Sequence, residues 1–202
     1  MFVTFEGPEG AGKSTLVRAI GALMRSLGVE TLCTREPGEG ELGRKIRELL
    51  LHGEELSSVT ELFLFLADRS HHVEKTILPA LKKGVLVLCD RYSDSTWVYQ
   101  SFASGLDSDF VTSANRAATG CLVPDLTLLL DLPPEVGLSR LQNPDRMDAQ
   151  PIEFHRKVRE GFLLLAEREP NRWRIVDATQ DPSSVEKAVF EIVKRQMGFR
   201  CG

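Results

Sequence analysis

The chain has 202 residues, 42% hydrophobic and 27% charged, with a formal net charge of −4. That length suits one domain with a real core, and the mixture is ordinary for a globular protein. The acidic balance argues against nucleic-acid or membrane binding, no apolar run approaches a bilayer span, and the absence of a basic-then-apolar leader predicts a cytoplasmic protein.

Phe2–Glu6 is a short apolar run that reads as a strand. Residues 7–14 follow as GPEGAGKS, which fits the phosphate-binding pattern G-x-x-x-x-G-K-[ST]. Leu16, Ile20, Leu23 and Leu27 then recur at helical spacing over Ser14–Leu27. The glycines therefore sit where a buried strand turns into a helix. Backbone N–H groups can surround a phosphate there, and the helix N-terminus favours its charge. Gly7, Gly10 and Gly12 permit backbone angles and close approach that a side chain would forbid. Lys13 is placed to reach the β and γ phosphates and Ser14 to ligate Mg²⁺. Gly7, Pro8, Glu9, Gly10, Ala11, Gly12, Lys13, Ser14 and Thr15 are the candidate ATP-binding loop.

A second strand is expected at Glu30–Thr34, followed by TREPG at 34–38, where Pro37 and Gly38 force a turn and Arg35 and Glu36 project near the strand end. Leu42, Ile46, Leu49 and Leu50 mark a helix that also carries Arg44, Lys45 and Arg47, which read as solvated charges unless one faces an acceptor phosphate. Leu62, Leu66, Val73 and Ile77 mark a longer helix. On its second face, Glu61, Phe65, Arg69 and His72 stand about one turn apart. Spacing alone favours Phe65 in the core and Arg69 on the surface. An aromatic one turn from an arginine also suits stacking on a flat base.

Val85–Asp90 is an apolar strand ending in a carboxylate, with Arg91 next. Such an Asp holds Mg²⁺ directly or through water, and an adjacent arginine grips phosphate in a bidentate way; a strand-end salt bridge is the plainer alternative. Leu126–Leu132 and Arg174–Asp177 complete the strands, and Pro134–Leu141, Pro151–Arg168 and Ser183–Met197 read as helices. Gln142–Gln150 is polar and bracketed by Pro144 and Pro151, so it is either an ordinary surface loop or a lid. Its arginine, Arg146, is a candidate transition-state clamp or a solvated charge. Cys33, Cys89, Cys121 and Cys201 show no C-x-x-C spacing, and two lie in strand-like runs, which points to a reducing compartment. Strand–helix alternation predicts an α/β fold with a five-stranded parallel sheet flanked by helices, and ligands at the strand C-terminal edge.

These motifs in this order resemble the thymidylate kinase family of P-loop nucleoside-monophosphate kinases, of bacterial type. The resemblance rests on FEGPEGAGKST at 5–15, TREPG at 34–38, ELFLFLADR at 61–69, DRYSDSTWVYQ at 90–100, PDLTLLLD at 124–131, the DR at 145–146, EFHRKVREGF at 153–162 and DATQ at 177–180. It implies one kinase domain over 1–202 with a lid near 142–153, a homodimer, and transfer of phosphate from ATP·Mg²⁺ to dTMP. It implies Lys13, Arg91, Arg146 and Glu9 as catalytic residues and Ser14 and Asp90 at the metal. Glu9 would contact the dTMP sugar. Arg91, Arg35 and Arg47 would hold the acceptor phosphate beside Pro37. Phe65 would stack on thymine and Arg69 would hydrogen-bond it, with Ser95, Thr96 and Gln100 along the base and sugar edge. Arg140 and the turn with Ala178 and Thr179 would flank adenine.

The chain departs from the family's R-E-P-G-G-T at Gly38-Glu39-Gly40-Glu41, and from D-R-x-E at Asp148. Another P-loop nucleoside or nucleotide kinase and a non-catalytic nucleotide-binding module are the rival readings. A GTPase switch lacks its N-K-x-D and D-x-x-G signatures here.

Overall fold

Strands that are apolar on consecutive residues need cover on both faces, and the sheet meets that need. The computed structural model describes residues 1–199; Cys201 lies outside them. Strands β1 (Phe2–Glu6), β2 (Thr31–Arg35), β3 (Leu86–Asp90), β4 (Leu126–Asp131) and β5 (Trp173–Asp177) pair in parallel in the order β2-β3-β1-β4-β5. The central β1 and β3 are buried at every residue, whereas the edge strands β2 and β5 alternate with exposed positions such as Ile175.

Alternation along the strands feeds separate cores. Val3, Phe5, Leu86, Leu88, Leu128 and Leu130 pack under α1 (Lys13–Ser26) and the C-terminal helix Pro182–Gln196. On the opposite face, Phe2, Val87 and Cys89 meet Val73, Ile77 and Tyr92, while Leu129 and Trp173 meet Val158, Phe162 and Leu165 of the helix Ile152–Arg168. The remaining helices are α2 (Gly40–His52), α3 (Ser58–His72), α4 (Leu78–Lys82), α5 (Ser93–Thr96), α6 (Ser108–Thr119) and α7 (Pro134–Ser139), so that Ile152–Arg168 is α8 and Pro182–Gln196 is α9.

The long helix expected across Leu62–Ile77 is α3 continuing through a π-helical turn, Val73–Ile77, into α4. Leu42 and Leu49 belong to α2 as expected but point outward; its buried positions are Gly43, Ile46 and Leu50. Two elements were not foreseen, α6 and the helix that runs from α5 into the π-helical segment Trp97–Ala103. Asp107 caps α6 by accepting from the Phe110 N–H at 2.8 Å, and Gly120 closes it at φ 59°. Because all strands are parallel, the loop at 7–12, the TREPG turn, Arg91 and the Asp177–Gln180 turn emerge at one edge of the sheet.

Candidate active site

The phosphate loop is shaped by backbone contact with α7. Gly10 has φ 69°, and a Cβ there would lie 1.9 Å from the Gly137 carbonyl oxygen. A Cβ on Gly137 would lie 2.1 Å from that of Glu9, so this crossing requires glycine on both sides. Lys13 opens α1, is 7% exposed, and donates to the carbonyls of Gly7 at 3.0 Å and Pro8 at 2.7 Å. Burial, then repulsion from Arg91, lowers its pKa to about 8. An arriving phosphate would restore the ammonium's preference for its proton.

Ser14 Oγ donates to Asp90 Oδ2 across the mouth of this loop. A hydroxyl beside a carboxylate is an all-oxygen donor pair, which suits Mg²⁺. Among the described residues no cluster of three His, Cys, Asp or Glu side chains forms a closed cage.

Arg91 follows β3 in the left-handed region at φ 66°, a conformation uncommon for a residue with a Cβ. Its guanidinium donates to Glu9 Oε2 at 2.6 Å, Ser95 Oγ at 3.1 Å and the Gly7 carbonyl at 3.3 Å, and lies over the Tyr99 ring. Tyr99 donates its hydroxyl to Glu9 Oε1 at 2.6 Å. Burial opposes ionisation of Glu9, but the charges of Arg91 and Lys13 overcome it and bring its pKa to about 2. Behind them, Glu6 is fully buried and accepts from the Tyr92 N–H at 2.8 Å and Ser95 Oγ at 2.5 Å. Burial, reinforced by Asp94, raises its pKa to about 8.

Two clefts meet at Arg91. One runs along the phosphate loop past Lys13, Ser14, Arg35 and Asp90; the other runs past Pro37, Phe65, Arg69, Ser95, Thr96 and Gln100. Glu9, Arg47 and Arg91 border both. Arg47 donates to the Pro37 carbonyl at 3.1 Å, while Lys45 faces outward and pairs with Glu41. Burial, then the charge of Arg35, lowers the Arg47 pKa.

Burial along α3 runs opposite to what spacing alone favours. Phe65 is half-buried on the cleft wall, and Arg69, at 1% exposure, is the larger buried group. Arg69 donates from Nε to Glu36 at 2.8 Å, from Nη1 to Thr96 at 2.8 Å and Asn115 at 2.7 Å, and from Nη2 to the Tyr92 carbonyl at 3.0 Å. An arginine has five N–H bonds, so one at Nη2 is left without a protein partner among the described residues. His72 Nδ1 lies 2.8 Å from the other oxygen of Glu36.

Arg146 reaches away from the phosphate loop: it donates to the Leu50 carbonyl at 2.8 Å and to Glu61 Oε1 at 2.6 Å. Arg140 Nη1 donates to the Ala178 carbonyl at 3.1 Å, and Thr179 Oγ1 to Asp177 at 2.6 Å, which joins α7 to the turn after β5. Thus Glu9, Pro37, Arg47, Phe65, Arg69, Arg91, Ser95, Thr96 and Gln100 line the cleft beyond Arg91, whereas Arg35 lines the phosphate-loop cleft and Arg146 bonds Glu61. Tyr99, Glu6 and Glu61 were not singled out by role. Tyr99 stands one turn after Ser95, and Glu6 is a charge closing an apolar strand, so both carried a signal.

A family model described as thymidylate kinase matches residues 5–189. A thymidylate kinase of Thermomicrobium roseum is 50% identical over 200 residues, covering 97% of this chain and 95% of that protein. One from a Synechococcus strain is 47% identical over 197 residues, covering 98% and 96%. The crystal structure of thymidylate kinase from Ehrlichia chaffeensis superposes with a TM-score of 0.80 at 30% identity, covering 96% of this chain and 98% of that one.

Proposed function

The chain belongs to the thymidylate kinase family, and from that premise we propose that it transfers the γ-phosphoryl group of ATP to dTMP, giving ADP and dTDP. The observation that carries the reading is the junction of two clefts at Arg91, one ending at Lys13 and the other at Phe65 and Arg69. A donor phosphate in the first cleft and an acceptor phosphate in the second would meet there.

The acceptor oxygen of a phosphate monoester is already anionic, so the reaction calls for no strong general base. Positioning and charge stabilisation do the chemistry. Gly7 through Thr15 and Lys13 hold the ATP phosphates, and Arg140, Ala178 and Thr179 flank adenine. Arg91, Arg35 and Arg47 hold the acceptor phosphate beside Pro37. Phe65 stacks on thymine; Arg69, Thr96 and Gln100 read its edge; Ser95 buttresses Arg91; and Glu9, held by Tyr99, faces the sugar. Ser14 and Asp90 hold Mg²⁺, which when bound offsets charge on the transferring phosphates.

We read the chain as one kinase domain, with 142–153 as a lid that excludes water on closing. Arg146 would neutralise charge during transfer once that segment moves it from Glu61. A homodimer in the cytoplasm completes the reading; exposed Val59 and Phe63 on α3 and Phe110 on α6 support self-association. No helix among the described residues is long and apolar enough to cross a membrane.

Coupled ADP release with ATP·Mg²⁺ and each of dTMP, dUMP, dCMP, dGMP, AMP and thymidine tests the reaction. Turnover with dTMP well above the others is expected. Turnover with thymidine or another monophosphate instead would overturn the acceptor, and ATP binding without any transfer would make the protein a non-catalytic module.

A further inference from the structure

The base end of the acceptor cleft is built from groups whose hydrogen-bonding sense is set from behind. Gln100 is 1% exposed and lines the cleft. A primary amide donates at Nε2 and accepts at Oε1, and a half-turn exchanges the two with almost no change of shape. What the cleft demands of a ligand depends on which end is turned inward. Here Nε2 donates to Glu61 Oε2 at 3.3 Å. Among the described residues no donor reaches Oε1, yet it is not a fully buried, unsatisfied atom, and the residue lines the cleft. Glu61 is 6% exposed, and its other oxygen accepts from Arg146 at 2.6 Å. As the anion of that pair it offers acceptors alone. A flipped Gln100 would press a carbonyl oxygen against a carboxylate.

We propose that Glu61 is a positioning residue that sets acceptor-base specificity by holding the Gln100 amide with its carbonyl oxygen toward the base. The inference rests on dTMP being the acceptor. With Oε1 turned inward and the spare N–H of Arg69 on the lining of the same cleft, the wall can present both an acceptor and a donor. That pair complements the N3–H and O4 of a thymine or uracil edge. It opposes cytosine, whose N3 accepts and whose exocyclic amine donates. A site that leaves buried polar groups mismatched discriminates far more strongly than one differing by a methyl group. Through Arg146, the same carboxylate ties the base reader to the segment between α7 and α8.

Glu61→Gln gives the anchor both a donor and an acceptor and frees the Gln100 amide to turn. The ratio of kcat/KM for dTMP over dCMP should fall by about tenfold or more. The change should lie mainly in the acceptor KM, with the ATP KM unchanged. In E61Q/Q100E the amide and the carboxylate change places, an acceptor oxygen faces the base again, and discrimination should return to within about threefold of the unsubstituted protein. An equal loss for dTMP and dCMP in E61Q would make Glu61 merely structural and overturn the proposal. If E61Q does not fold, the double variant decides: folded and selective supports the proposal, folded and unselective overturns it. Should the unsubstituted protein phosphorylate no dTMP, the functional reading fails instead. Equilibrium binding of dTMP and dCMP to the same variants would still report which end of the amide faces the cleft.

Discussion

Arg69→Met separates two jobs that Arg69 holds at once. The side chain keeps most of its length but loses the buried ion pair with Glu36 and three other polar partners, Thr96, Asn115 and the Tyr92 carbonyl. Breaking a buried pair by removing one partner costs about 3–5 kcal/mol. His72 still hydrogen-bonds Glu36, which favours the lower end. At about 2–4 °C per kcal/mol for a chain of this size, the melting temperature should fall by roughly 6–12 °C. Phe65→Ala is the matched control. Phe65 lines the same cleft but is half-buried and carries no polar network. It should melt within about 3 °C of the unsubstituted protein while weakening dTMP roughly tenfold, the scale of a lost base stack. Calorimetric melting and dTMP titration on both variants, with ATP affinity as the internal reference, give the comparison. An Arg69→Met protein that melts within about 2 °C of the original while losing dTMP would refute the account of Arg69 as a buried keystone. Equal losses of dTMP and ATP in Phe65→Ala would return Phe65 to the core.

Lys13→Ala should lower ADP release at least about 100-fold with the fold retained in circular dichroism; near-normal turnover would contradict the phosphate-loop assignment. Gly137→Ala touches no ligand in this account, yet its Cβ would press on the Glu9 carbonyl at 2.1 Å. It should cost about 1–3 kcal/mol and raise the ATP KM before the dTMP KM, as read by urea melts and initial rates. Glu6 has a folded pKa of about 8 against 4.5 in an unfolded chain, so its stabilisation is complete below pH 4.5 and is lost as the pH rises through 8. Glu6→Gln should therefore gain stability over the unsubstituted protein at pH 9 but not at pH 4.5; parallel urea midpoints at the two pH values would contradict this.

The parallel sheet was legible because β1, β3 and β4 are continuous apolar runs, and the phosphate loop because its glycines fall between a strand and a helix. α6 was not, since Val111 is its single large buried apolar residue and its other buried positions, Asn115 and Thr119, are polar. Its end signals, Asp107 and Gly120, were present without the periodicity that would have joined them. Spacing alone puts Arg69 on the surface because burial of a guanidinium depends on partners from the turn after β2, from α5 and from α6 that are distant in sequence. Glu61 shares the helix face of Phe65 and Arg69, but its role had no local signal, as its partners Gln100 and Arg146 lie 39 and 85 residues away. Close backbone packing of Gly10 on Gly137 was likewise invisible until the loop and α7 were placed together.

Phosphate should move from ATP to dTMP across the junction at Arg91. Incubation of the protein with γ-labelled ATP, Mg²⁺ and dTMP, followed by separation of the nucleotides, tests it most directly. Label in the β position of dTDP, dependent on dTMP and nearly abolished by Lys13→Ala, is the predicted result. Label released as inorganic phosphate, or carried by any other acceptor in preference to dTMP, would contradict the account.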